Sequence, residues 1–167
     1  MSTGKCICFA HGKESGPWGS KIRYLAEIAR REGWRVLSPD FRASRDFNER
    51  LDQLVRLAPA GDPLLLCGSS MGGYVCAHAC GPLRPAGLFL MAPALYYPGY
   101  DREPADCPTD TVVVHGWQDD VVPVETALRF ARPRGARLHL VPDGHRLTST
   151  LPLLGQLLRA QLRRCAA

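Results

Sequence analysis

A chain of 167 residues, 46% hydrophobic and 22% charged, is long enough to bury an ordinary core as one domain and too apolar to stay disordered. No apolar run approaches the roughly 20 residues that cross a bilayer, and the opening stretch MSTGKCICFAHG has only a very short apolar segment, so a cytoplasmic protein with no membrane partner is expected. The net charge of +5 is uneven: residues 129–167 carry eight arginines against Asp143, which is +7, and leave −2 for the first 128 residues, yet those arginines alternate with apolar residues and accompany no nucleic-acid motif, so no nucleic acid is expected as partner.

Apolar runs and helical periods then alternate along the chain. KCICFA (5–10) reads as a buried strand that ends at His11-Gly12. SKIRYLAEIARR (20–31) places Ile22, Leu25, Ala26, Ile28 and Ala29 on one helical face, and Gly33 stops it. WRVLSPD (34–40) is a second strand, broken by Pro39, and FNERLDQLVRLA (47–58) a second helix with Leu51, Leu54, Val55 and Ala58 inward. DPLLLCG (62–68) is the third strand, followed by a helix that opens at MGGYVCAHAC (71–80). AGLFLMA (86–92), DTVVVHG (110–116) and ARLHLV (136–141) complete six strands, and helical patterns cover 124–132 and about 147–164. Continuous apolar strands separated by helices imply a doubly wound, mostly parallel six-stranded α/β sheet with helices on both faces, the first strand lying inside the second. No repeat or linker divides residues 1–167, so a single domain is expected.

Segment 93–108 has no clean period, four prolines and three tyrosines. In such a sheet the loops at the carboxyl ends of the strands build the site. Tyr96 and Tyr97, with Trp117 farther on, are candidates for a substrate pocket; Tyr100 belongs to the same segment, and local packing is an equal reading for these tyrosines.

The chemistry concentrates at CGSSMGG (67–73). Read as G-x-S-x-G, it is Gly68-Ser69-Ser70-Met71-Gly72, directly after a strand and opening a helix, the context of a nucleophile elbow. The turn is so tight that positions two before and two after the nucleophile must lack bulk. Centring on Ser69 would put Cys67 and Met71 there, so Ser70 is the candidate. The bland alternative is a Gly-rich turn with Ser70 as a cap. A serine hydroxyl needs a base and the base an orienting group, which in this architecture follow in the order Ser, Asp or Glu, His. HGWQDDVVP offers Asp119 and Asp120 after one strand, and PDGHR offers His145 after the next. His139 lies within its strand, His78 on a helix face, and His115 at a strand end where a structural hydrogen bond is the usual role. The seven cysteines are odd in number and form no C-x-x-C pair, which suggests free thiols. Cys76, His78 and Cys80 could suggest a metal but read better as small buried side chains, so no metal is expected.

Over nearly its whole length the chain resembles a small, lidless α/β-hydrolase of the serine esterase kind. The motifs that carry the likeness are AHGKESGPWG, GSSMGG, LFLMAPA, VVHGWQDDVVP and DGHR. The pattern H-G-x-x-D-x-x-V-P implies Asp119 as the acid. The His-Gly after the first strand implies an oxyanion hole formed by the backbone N–H groups of Lys13 and Met71, with Gly12 and His11 supporting the loop. For His11, ordering the loop is favoured over direct catalysis. The first strand resembles the family's third, so the resemblance implies a minimal member expected to do without the family's first hairpin. The resemblance implies a carboxylesterase or thioesterase that acts on small-molecule esters or thioesters through Ser70, Asp119 and His145 without a cofactor. A non-catalytic binding protein and a hydrolase of amide or C–C bonds stay open, as does a homodimer.

Overall fold

The computed structural model describes residues 3–167. Six strands are laid down: β1 (Cys6–Ala10), β2 (Arg35–Leu37), β3 (Leu64–Ser69), β4 (Gly87–Met91), β5 (Asp110–Gly116) and β6 (Arg137–Val141). Between and after them run α1 (Ser20–Arg31), α2 (Phe47–Leu57), α3 (Met71–Leu83), α4 (Val124–Arg134) and α5 (Leu151–Ala166). All strand pairs are parallel, where a mostly parallel sheet was expected, and the order is β2-β1-β3-β4-β5-β6. The first strand therefore lies inside the second, and β3 pairs with β1 and β4 near the middle of the sheet.

Strand side chains alternate between two cores, as a pleated sheet covered on both faces requires. Cys6, Cys8, Leu64, Leu66, Leu88 and Leu90 face α2, α3 and α4. Ile7, Phe9, Leu65, Cys67, Phe89 and Met91 face α1 and α5. Helix α3 is covered nearly all round, which explains why MGGYVCAHAC shows no polar stripe. Helix α2 starts where Asp46 accepts the Glu49 N–H at 2.9 Å, an N-cap, and ends at Ala58 in the left-handed region, φ 46°.

The last helix begins at Leu151 rather than near 147. Asp143 accepts the Thr150 N–H (3.0 Å) and hydroxyl (2.8 Å), and Leu147 adopts a positive φ of 53°, so 142–150 folds as a compact turn before the helix starts.

The basic C-terminal third is largely matched by acids from earlier in the chain. Arg159 and Arg163 pair with Glu32, Arg164 with Asp110, and Arg129 and Arg134 with Glu103. No helix of the described residues is long and apolar enough to cross a membrane. All seven cysteines are free.

Phe89 is wholly buried at the centre of the sheet. Phe89→Ala should cost about 3–5 kcal/mol, read as a lower urea midpoint at unchanged slope.

Candidate active site

Because every strand is parallel, the loops after β1, β3, β5 and β6 open at one edge of the sheet. They bring His11, Ser70, Asp119 and His145 together. Ser70 occupies φ 54°, ψ −117°, a conformation that costs a non-glycine residue about 1–3 kcal/mol. Tight packing holds it there. A Cβ on Gly68 would meet the Gly72 carbonyl oxygen at 2.2 Å, and one on Gly72 would meet the Ala10 carbonyl oxygen at 1.9 Å. Both contacts are with backbone, which cannot give way. The Ser70 N–H donates to Met91 O at 3.0 Å and the Ser70 carbonyl accepts from Ala94 N at 2.9 Å, tying the turn to the end of β4.

His145 Nε2 stands 2.9 Å from Ser70 Oγ, and its Nδ1 stands 2.8 Å from Asp119 Oδ2. A carboxylate only accepts, so Nδ1 carries the proton and Nε2 presents a lone pair to the serine. Asp119 Oδ1 accepts the N–H groups of Val121 (2.9 Å) and Val122 (2.8 Å), which fixes the side chain in its loop. Asp120, its neighbour, is exposed.

His115 adds a contact that its place at a strand end did not announce. Its side chain is wholly buried, with Nε2 2.9 Å from Val122 O and 3.2 Å from Asp119 Oδ2. Facing two acceptors, Nε2 bears the proton, while Nδ1 is buried without a partner. The Asp119 carboxylate thus sits between two imidazoles.

The loop after β1 is held from behind. His11 Nδ1 donates to Gly12 O at 2.8 Å, and Nε2 accepts the Phe41 N–H at 2.9 Å, so both ring nitrogens are occupied in the neutral form. Arg50 is 1% exposed, and its guanidinium reaches Gly12 O (3.1 Å), His11 O (3.4 Å), Lys13 O (3.5 Å) and Ser44 O (2.7 Å). A trans peptide sets its N–H antiparallel to its C=O. Pinning the Gly12 carbonyl toward Arg50 therefore turns the Lys13 N–H to the opposite side. Arg50 was not expected as a site residue. Its signal was a charge on the core row of α2, between Phe47 and Leu54.

A cavity of about 900 Å³ opens over Ser70, lined by His11, Gly12, Lys13, Met71, Tyr97 and His145 among others. Of the three expected pocket aromatics, Tyr97 lines it and the other two do not. Tyr96 donates its hydroxyl to Glu103 at 2.8 Å and carries the Arg129 guanidinium 3.7 Å above its ring, which turns it away. Trp117 follows β5, its side chain 54% exposed and its backbone N–H donating to Val141 O at 2.8 Å. Tyr100 stacks on Phe47 and donates to Asp46 at 2.8 Å, so it packs. The described residues contain no cluster of histidine, cysteine and carboxylate side chains able to hold a metal ion.

Among solved structures, a Xanthomonas campestris pv. campestris protein assigned to the hydrolases of the α/β superfamily is 34% identical, over 96% of this chain and 99% of that one, at a TM-score of 0.86. The chain belongs to the α/β-hydrolase superfamily. The same α/β-hydrolase architecture recurs in Est1E of Butyrivibrio proteoclasticus, solved with ferulic acid bound, at 16% identity over 97% of this chain and 89% of that one, TM-score 0.78. It recurs in a lidless α/β serine hydrolase of Xanthomonas campestris at 20% identity over 98% and 84%, TM-score 0.66. No family model matches the chain, and no curated protein does.

Replacing Arg50 with Met keeps the bulk and strands the loop carbonyls. It should cost at least about 2 kcal/mol in urea unfolding and speed amide exchange at Lys13. The pH dependence of stability follows from His11, whose pKa is pushed below 6.5 by burial. The unfolded chain then takes up the proton first, so this contribution is complete above about 6.5 and is lost as pH falls from there through the lower folded value. His78, lowered to about 4 by burial, acts in the same direction. The urea midpoint should therefore fall on acidification below about 6.5, and His11→Gln should flatten that slope.

Proposed function

We propose that this α/β-hydrolase is a serine hydrolase of small carboxylic esters or thioesters, with Ser70 as nucleophile, His145 as general base and Asp119 as the orienting acid. The observation that carries the reading is the unbroken relay Ser70 Oγ to His145 Nε2 (2.9 Å) and His145 Nδ1 to Asp119 Oδ2 (2.8 Å), at the mouth of a cavity and on a strained turn. Ser70 Oγ attacks the carbonyl carbon as its proton passes to His145 Nε2. The negative charge that develops on the carbonyl oxygen is met by the N–H groups of Lys13 and Met71. Met71 is the first residue of α3, so its N–H has no partner within the helix. Each such donor is worth about 3 kcal/mol of barrier. The imidazolium then gives its proton to the departing alcohol or thiol, leaving an acyl-Ser70. Water, deprotonated by the same histidine, attacks that acyl group and releases the carboxylic acid.

The neighbouring structures are hydrolases, which supports the class of reaction, and the open mouth over Ser70 favours short to medium acyl groups. The reading extends to one domain that works without metal or cofactor. A binding protein without catalysis would have no use for a strained serine aligned on a histidine.

A fluorophosphonate should label Ser70 on peptide mapping, and Ser70→Ala should lose both labelling and hydrolysis of a short p-nitrophenyl ester. Labelling that persists in Ser70→Ala and vanishes in Ser69→Ala would overturn the assignment. Asp119→Asn reverses the hydrogen bond to Nδ1 and should lower kcat at least about 100-fold; the serine-protease counterpart of that change costs about 10⁴. Asp120→Asn should stay within a few-fold of the parent on the same ester. If Asp120→Asn is the crippled variant, the acid has been misplaced by one residue.

A further inference from the structure

One charged group in the cavity has no part in the acyl transfer just described. Lys21 stands in the first turn of α1, half-buried, and lines the same cavity as Ser70. Its Nζ makes one long hydrogen bond, 3.4 Å, to the carbonyl of Arg146, the residue after His145. Among the described residues no carboxylate lies within ion-pair distance of it. Asp143, the carboxylate whose charge acts on it, has its oxygens committed to Gly144 N–H and to Thr150. Burial of part of the side chain lowers the lysine's pKa. A cation in the first turn of a helix also opposes the helix dipole, and α1 has no acidic residue there to offset it. An ammonium has three donors, and the described residues accept from one of them, at 3.4 Å.

The rest of the rim points the same way. Lys13 and Arg146 border the cavity, and its one acidic lining residue, Glu14, is drawn off by Arg45 at 3.3 Å. The cavity around the candidate nucleophile is therefore net positive, with an ammonium in its wall that no carboxylate of the described residues pairs. A substrate carrying an anion would supply the missing counter-charge.

We propose that the substrate is an ester or thioester bearing a negatively charged group, carboxylate or phosphate, and that Lys21 is the residue that selects it. This rests on Ser70 marking the substrate site. The selection is electrostatic: it lowers KM for the charged ester and leaves a neutral one unaffected.

The test separates binding from chemistry. Ser70→Ala, which cannot turn the ester over, is titrated calorimetrically with para-acetoxybenzoate and with its neutral carboxamide. The carboxylate should bind at least about tenfold more tightly, and the difference should shrink between about 20 and about 200 mM salt. Adding Lys21→Met should abolish the preference, with Tm at or above that of the parent, and Lys21→Arg should retain it. Should Lys21→Met not fold, Lys21→Gln serves the same comparison. Equal affinities, no binding of the carboxylate, or a preference that survives removal of Lys21 overturns the proposal. Turnover by the protein with Ser70 intact is read separately. Hydrolysis of both compounds without charge preference removes the anion site and keeps the serine chemistry. A Lys21-dependent preference without hydrolysis keeps the anion site and removes the serine chemistry. For phosphate as the anion, phenyl phosphate replaces the carboxylate, and whichever anion shows the larger Lys21-dependent preference is the one the site takes.

Discussion

A Cβ at Gly72 would lie 1.9 Å from the Ala10 carbonyl oxygen, and one at Gly73 would lie 2.8 Å from the Pro93 Cα. This bare backbone-on-backbone approach is the constraint on which the site depends. It lets α3 start hard against the ends of β1 and β4, and so lets the chain reverse within one residue after β3. Ser70 takes the strain of that reversal, and the surrounding cores supply the compensation: Cys67 packs on the α1 and α5 side, Met71 and Tyr74 on the other. The elbow is thus a packing solution before it is a chemical one. It places a hydroxyl above the sheet edge where three other loops converge.

Those loops are rigid for different reasons. The β5 loop is organised by a carboxylate that gathers two N–H groups and two imidazoles. The β1 loop is organised by the reverse arrangement, a buried guanidinium that gathers carbonyls. A buried charge is tolerated only where it meets enough partners of the opposite polarity: two backbone N–H groups and two imidazoles around Asp119, and backbone carbonyls alone around Arg50. The same charge that secures a loop also aims a group, His145 in one case and the Lys13 amide in the other.

The sequence made the sheet legible because each strand is a short apolar run and each helix but α3 has a clear stripe. Boundaries failed where side chains rather than periodicity decide: Asp143 holds Thr150 and so delays α5, which no apolar pattern between 147 and 150 reveals. Ser70, Asp119 and His145 could be singled out together because each lies at a fixed place in a strand-loop pattern, and the structure brings His145 within hydrogen-bond distance of the other two. Tyr96 and Trp117 were misplaced because segment 93–108 and the turn after β5 have no period from which side-chain direction could be read. Arg50 and the His115 contact to Asp119 were missed for a different reason. Both are long-range partnerships of buried polar groups, and a single sequence shows such a group only as an oddity in an apolar row.

The parallel topology has a consequence for how the protein comes into being. β3 hydrogen-bonds to β1 through pairs such as Cys6 with Leu64 and Ala10 with Gly68, which are far apart along the chain. Closing that loop costs entropy before any strand contact repays it, as in all sheets with high contact order. The reversal at Ser70 is propped by Ala10 on one side and Pro93 on the other, so it has nothing to lean on until residues from both ends of the first hundred have met. The strained conformation of Ser70 therefore depends on contacts that exist only when the central strands are closed, and without them nothing in the chain holds that turn at a positive φ.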